Sequence, residues 1–341
     1  MLVVSCVSLI SAVGRTPQSA GAALRAGISA FDELVYRDRA GSNVVGAMAA
    51  GVSAAVRGRA RLEALVSWVV AGIPQALATD LPWSRMPMIV CMPEGPRPGP
   101  RLDEFTLRGR IADGRPMPAS LRIIEGGSAG AFAAFDQARR LLADPRVPGC
   151  LVLAVDSLID AQVLAWLEQD FRLKTSDCSD GVIPGEAACL AIVTRKPVTP
   201  TSLTLLGVGI AQEVATVRND EPFLGLGMTQ AVRAALDEAR LDMHDVDFRL
   251  SDVAGESYAF EEMVLAQTRL MRRTRPSQAI WHHADCIGDC GAAAGLIEFA
   301  WAEQAFARGY APGTVAALHG SSPFGARGAA IVTSSRETGI R

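Results

Sequence analysis

Residues 120–143 read Ser120-Leu-Arg-Ile-Ile-Glu-Gly-Gly-Ser-Ala-Gly-Ala-Phe-Ala-Ala-Phe-Asp-Gln-Ala-Arg-Arg-Leu-Leu-Ala143. The branched residues from Arg122 to Ile124 predict a strand. Gly126 and Gly127 end it in a turn, and apolar residues at helical spacing then predict a helix over Ser128–Ala143. A second glycine-rich turn, Gly288-Asp289-Cys290-Gly291-Ala292-Ala293-Ala294-Gly295, also opens a helix, which runs through Phe306. Two turns of one kind, each ahead of a helix, suggest an internal duplication.

Working outward, strand-like runs fall at Met1–Ile10, Met88–Cys91, Cys150–Val155, Ala187–Val193, Leu203–Val208, Phe248–Leu250, Thr314–Leu318 and Ala329–Thr333. Helical patterns cover Pro17–Ala26, closed by Gly27, then Thr229–Ala239 and Glu261–Met271. The Ala-rich stretch Val45–Gly72 reads as mostly helical, and Pro93–Pro100 as a loop. Such alternation gives a sheet covered by helices on both faces, an α/β fold.

Several segments together resemble the β-ketoacyl-acyl-carrier-protein synthases of the thiolase superfamily. Ala22-Ala23-Leu24-Arg25-Ala26-Gly27-Ile28-Ser29 looks like the family's first helix and turn. Asp180-Gly181-Val182-Ile183-Pro184-Gly185-Glu186-Ala187-Ala188 is similar to its D-G-F-x-x-G-E-G-A segment, and Gly288–Gly295 to its G-H-x-x-G-A-A-G turn. Gly207-Val208-Gly209 and the helix after it resemble the central strand and helix. Phe324-Gly325 with Ala329-Ala330-Ile331-Val332 resembles the closing F-G-x-x-N-A-A-L-V strand. The matches are colinear over nearly the whole chain. The resemblance implies a thiolase-like fold: two similar βαβ-type halves, residues 1–195 and 196–341, in one layered α-β-α-β-α unit. It also implies pairing as a homodimer or as a heterodimer with an active synthase, with acyl-carrier protein as a further partner.

A condensing enzyme of that family needs a cysteine at a helix N-terminus, where the dipole and amides lower its pKa, and two histidines that stabilise developing charge. With Gly130 as the glycine three residues after the nucleophile, Gly127 takes the cysteine's place. The first histidine turn matches Ser251-Asp252-Val253-Ala254-Gly255-Glu256, which holds no histidine, and Asp252 stands at the degenerate position. The second histidine position is Asp289. The lysine ahead of that turn matches Ala284, and the asparagine of the last loop matches Gly328. The resemblance therefore points to a non-condensing homologue in fatty-acid or polyketide metabolism, with Phe132, Phe324, Ser128 and Asp289 as pocket candidates.

Other chemistries stand beside it. Gly126-Gly127-Ser128-Ala129-Gly130 spells G-x-S-x-G between strand and helix, the pattern of a nucleophile elbow. With His319, or as a second choice Asp289, as base it predicts an acyltransferase or thioesterase; the plainer reading is a serine capping a helix in a cramped turn. His282, His283, Cys286, Cys290 and Asp289 cluster, yet the glycines and the missing second pair favour buried thiols over zinc, so no metal is expected. Asp252, Glu256, Glu261, Glu262 and Asp289 gather acidity around the same turns, whereas Glu186 and Glu262 read as structural. Arg269, Arg272, Arg273 and Arg275 form either a solvated helix end or a patch for an acidic carrier protein.

The bulk numbers agree. The chain has 341 residues, 49% hydrophobic and 20% charged, with a net charge of −3 and no long basic run, so nucleic acid is not an expected partner. No segment has the ~20 apolar residues of a membrane span, and Met1–Gly14 lacks the basic residues of a signal peptide. The seven scattered cysteines suit reduced thiols of a cytoplasmic protein. No cofactor is expected.

Overall fold

The computed structural model describes residues 2–113, 115–273, 275 and 277–335. Met1, expected at the start of the first strand, and residues 336–341 of the C-terminal half lie outside the described residues.

The first half of the chain gives β1 (Leu2–Ile10), α1 (Pro17–Arg25), β2 (Asp32–Arg37), β3 (Asn43–Gly46), α2 (Gly58–Ala71), α3 (Gln75–Asp80), β4 (Pro87–Met92), α4 (Glu104–Ala112), β5 (Ser120–Glu125), α5 (Gly130–Leu141), β6 (Cys150–Ser157), α6 (Ala161–Gln169) and β7 (Glu186–Thr194). The second gives β8 (Leu203–Gln212), α7 (Leu226–Ala239), β9 (Phe248–Ser251), α8 (Ser257–Leu270), β10 (Ala279–His282), α9 (Ala284–Ile287), α10 (Ala294–Ala307), β11 (Val315–Ser321) and β12 (Ala326–Ser334).

Ten strands form one sheet in the order β10-β9-β11-β12-β8-β1-β7-β6-β4-β5. β4 runs parallel to both β5 and β6, while β7 is antiparallel to β6 and β1. β9 likewise runs parallel to β10 and β11, while β12 is antiparallel to β11 and β8. Both five-strand sets thus share one order and one set of directions. They join where β1 meets β8, over only Leu2–Val4.

Residue alternation shows the layering. In β4, Met88, Val90 and Met92 pack outward with Leu62, Leu65 and Val69 of α2, while Ile89 and Cys91 pack inward with Phe132 and Phe135 of α5. In the second set, Phe248, Leu250, Ala316 and Leu318 join that same inner core with Leu296 and Phe299 of α10. Ala317 and Ile331 face outward onto Val232 and Leu236 of α7. Helices α5 and α10 are therefore shared between the two strand sets, giving a layered α-β-α-β-α arrangement. Strands buried on both faces read as continuous apolar runs, which is why β1, β6 and β7 are so plain in the sequence.

The expected helix over Val45–Gly72 is corrected. Only Gly58–Ala71 is helical; residues 43–46 form β3, and an irregular stretch follows. Gly51 punctuates the stretch with a φ of +96°. Backbone partners lie elsewhere in the fold: Ala47 N–H donates to the Pro184 carbonyl and Ala49 N–H to Glu186 Oε1. Tertiary hydrogen bonds override alanine's helix propensity here.

Candidate functional site

Both glycine-rich turns are elbows of the same construction. Gly127 has a φ of +52° and starts a short 3₁₀ turn that runs into α5; Gly291 has a φ of +49° and does the same ahead of α10. Such left-handed backbone favours glycine. Space forbids a side chain as well. A Cβ on Gly127 would sit 1.9 Å from Glu94 Oε1, and one on Gly291 would sit 2.1 Å from Asp156 Oδ2.

The elbows meet at a cavity of about 70 Å³ lined by Glu94, Arg97, Ser128, Trp166, Arg172, Asp252, Glu256, Tyr258, Asp289 and Ser322, among others. Glu94, in the Pro/Gly-rich loop after β4, accepts from the Ser322 hydroxyl at 2.6 Å. Arg97 grips Asp156 through Nη1 and Nη2 at 2.9 and 2.6 Å, and Asp156 also accepts from the Ala292 amide at 2.8 Å. Arg172 holds Glu256 with two 2.7 Å bonds.

Asp252 follows β9, and its Oδ2 accepts from the Ser321 amide at 2.7 Å. Burial pushes its carboxyl up to about 7, with the neighbouring Asp289 and Glu262 carboxylates adding to the rise against Arg327 and the Ser321 bond. Asp289 Oδ1 accepts from the Gly291 amide at 2.8 Å. Burial pushes it up to about 6, opposed by that bond and by Arg172.

The positions singled out in the sequence divide. Gly127, Ser128, Asp252 and Asp289 converge on this cavity or its elbow. Ser128 Oγ donates to the Gly291 carbonyl at 3.1 Å. His319 is not its base. It lies on the α7–α8 side of the sheet, in a void of about 10 Å³ with Arg249 and Met228, and neither ring nitrogen has a hydrogen-bond partner. Burial pulls its pKa down to about 3, with Arg249 adding to the effect.

Phe132 is a core residue and does not line the cavity. It packs against Phe299 with ring centroids 6.0 Å apart, and Gly320 and Gly328 press so close that a Cβ on either would be 2.6 Å from it. Phe324 stands behind the wall, stacked on Trp166 at 6.1 Å, with the Arg218 guanidinium 5.0 Å from its ring. Glu262 and Glu186 are structural, each in a buried ion pair, with Arg327 and Arg61 respectively. In the basic stretch, Arg275 is tied to Asp247 and the His244 and Val246 carbonyls, and Arg269 to the Leu224 carbonyl. Arg272 and Arg273 are exposed.

His283 is buried, and burial lowers its pKa to about 3. All seven cysteines are free thiols. No group of three His, Cys, Asp or Glu among the described residues is placed to hold a metal ion, and no helix among them is long and apolar enough to cross a membrane. Sequence reasoning missed Glu94, Arg97, Trp166 and Arg172. The first two sit in a stretch whose prolines and glycines signal only a loop.

No family model matches the chain, and no curated protein matches it in sequence. Solved structures do match. The ishigamide ketosynthase/chain length factor is 15% identical, with a TM-score of 0.78 over 97% of this chain and 98% of that one. A structure of the ketosynthase ApeO in complex with its chain length factor ApeC from Xenorhabdus doucetiae is 15% identical, with a TM-score of 0.76 over 98% of each chain. A type II polyketide synthase acyl-carrier protein in complex with its ketosynthase bound to the hexaketide (AntDE:AntF) is 14% identical, with a TM-score of 0.78 over 97% and 98%. Along almost its full length, this chain has the thiolase-like fold of polyketide ketosynthases and chain length factors.

Proposed function

We propose that this chain is a non-condensing ketosynthase-type subunit, a partner or scaffold in fatty-acid- or polyketide-type assembly. On this reading residues 1–195 and 196–341 are the two halves of one unit. The observation that carries it is the filled elbow. At Gly127 there is no side chain to acylate, and the Glu94 carboxylate occupies the volume where a nucleophile's Cβ would stand. Asp252 and Asp289 border the same cavity, so the three positions that differ from the synthase set lie together. A negatively charged group beside the elbow also disfavours a developing oxyanion.

A partner is supported by the edge of the sheet. Among the described residues, β5 is the terminal strand and pairs only with β4, which leaves one edge open, with Ile123 37% exposed. Open edges recruit other strands unless something covers them. The solved relatives include a ketosynthase in complex with its chain length factor, the type of assembly this reading extends here. On this reading the partner is a second copy of the chain or an active synthase, with an acyl-carrier protein as a further contact.

Serine-dependent acyl transfer or thioester hydrolysis is the rival activity. Ser128 spends its proton on a carbonyl, and His319 faces another layer, so no observation favours it. The test is intact-mass spectrometry after incubation with acyl-coenzyme-A and acyl-carrier thioesters, for the native chain and Ser128→Ala. Both are expected to stay unmodified. An adduct on the native chain that vanishes in Ser128→Ala would overturn the reading.

A further inference from the structure

The cavity at the two elbows carries unspent charge. Glu94, Asp252, Glu256 and Asp289 line it against two guanidiniums, Arg97 and Arg172. Arg97 is committed to Asp156, and Arg172 to Glu256. Among the described residues, Glu94, Asp252 and Asp289 have no cation within ion-pair distance, leaving a surplus of three carboxyl groups around one small space.

A second observation is independent of that surplus. Arg172 is only 7% exposed, and its Nη1 has no hydrogen-bond partner. Its Nε and Nη2 are both taken by Glu256. Asp289 is a near charge to Arg172 yet forms no ion pair with it. A buried guanidinium N–H left without an acceptor is costly, and Glu94, Asp252 and Asp289 each have one neutral donor, from Ser322, Ser321 and Gly291, in place of a cation. Arg172 and these carboxyl groups line the same cavity.

Each simple occupant satisfies one side and offends the other. A lone anion pairs with Arg172 but meets three carboxyl groups. A lone cation suits the carboxyls but leaves Nη1 unpaired. A molecule with an acceptor at one end and N–H donors at the other suits both. The volume, about 70 Å³, has room for about five water-sized groups, the size of the smallest amino acids. We propose that this cavity is a binding site for a small amino-acid-type zwitterion, its carboxylate on Arg172 Nη1 and its ammonium toward Asp289 and Asp252.

The site is independent of whether the chain pairs with a synthase, so either reading can fail alone. The experiment is isothermal titration calorimetry of the full chain with glycine, L-alanine, methylammonium and acetate. Glycine or alanine is expected to bind, and the two half-ligands to bind at least about tenfold more weakly, the scale of one charge-assisted hydrogen bond. Asp289→Asn keeps an acceptor for the Gly291 amide and is expected to weaken amino-acid binding by about tenfold or more. Arg172→Gln alone would strand Glu256, so the paired change Arg172→Gln with Glu256→Gln tests the other end, with the same expected loss. Absence of binding by either amino acid at ~10 mM would sink the proposal. So would acetate or methylammonium binding as tightly, or amino-acid binding unchanged in the variants.

Discussion

The two elbows share a backbone and differ in what fills them. At Gly291 the filler is Asp156, fixed by both Nη atoms of Arg97, by the Ala292 amide and by its own neighbour's amide at Ser157. At Gly127 the filler is Glu94, whose carboxylate has, among the described residues, one side-chain hydrogen bond, from Ser322, and no ion pair. The first arrangement is a closed ionic lock that ties the loop after β4 and the end of β6 to the turn ahead of α10. The second is a longer, freer side chain leaning into a cavity. Common to both elbows is a packing demand: α5 and α10 approach so closely that a Cβ on Gly295 would be 2.9 Å from Ala131 Cβ.

The largest effect expected from this contrast comes from cutting the lock. Arg97→Met leaves Asp156 buried without its cation, and breaking one partner of a buried pair costs ~3–5 kcal/mol. Glu94→Gln removes a charge that has no ionic partner, so its cost is expected at or below ~1 kcal/mol. Urea unfolding of both variants measures the difference. Equal costs would mean that Glu94 is as firmly held as Asp156 and would erase the distinction.

A sharper form puts the same substitution into both elbows. Each glycine has a left-handed φ, so alanine pays ~1–2 kcal/mol at either place. At Gly127 the obstructing atom is the end of a flexible glutamate, which can swing aside. At Gly291 it is a carboxylate held in place by Arg97. Gly291→Ala is therefore expected to cost ~2–4 kcal/mol and Gly127→Ala only ~1–2 kcal/mol. Adding Glu94→Ala to Gly127→Ala should recover part of that cost, and the double-mutant cycle should show coupling of ~0.5 kcal/mol or more. Additive costs would mean that Glu94 does not fill the elbow in solution.

How much of this was legible in the sequence follows from where each constraint acts. Strands buried on both faces leave predominantly apolar runs, so β1, β6 and β7 are legible to within two residues at each end. The elbows are legible too, because a left-handed turn and a close helix approach both demand glycine or alanine at adjacent positions. Ala-rich residues 45–57 misled, since their conformation is set by Pro184 and Glu186, far along the chain. The cavity was only half legible. Asp252 and Asp289 occupy positions that a family pattern picks out, but Glu94 meets Ser322 across 228 residues and Arg97 meets Asp156 across 59. Phe132 shows the converse: an aromatic just past the elbow looks like a pocket wall, yet Gly320 and Gly328 draw it into the core. Local pattern has no access to such pairings.

The smallest effect tests the cavity's electrostatics through pH. The folded pKa of Asp252, about 7, lies above its ordinary value of 3.8, chiefly because burial penalises the charged form. The native state thus holds a proton that the unfolded chain releases. Its stabilising contribution is complete below the unfolded pKa, declines as pH rises from about 4 toward 7, and is gone above the folded pKa. Asp252→Asn keeps an oxygen for the Ser321 amide and cannot ionise. Relative to the native chain, the variant is expected to be close to neutral near pH 4 and more stable by ~1–3 kcal/mol near pH 8. Thermal melts across that range read the difference directly. A gap that does not widen with pH would mean that Asp252 is already ionised and compensated in the folded chain, and the cavity would then carry less strain than the elbow at Gly291, reversing the comparison.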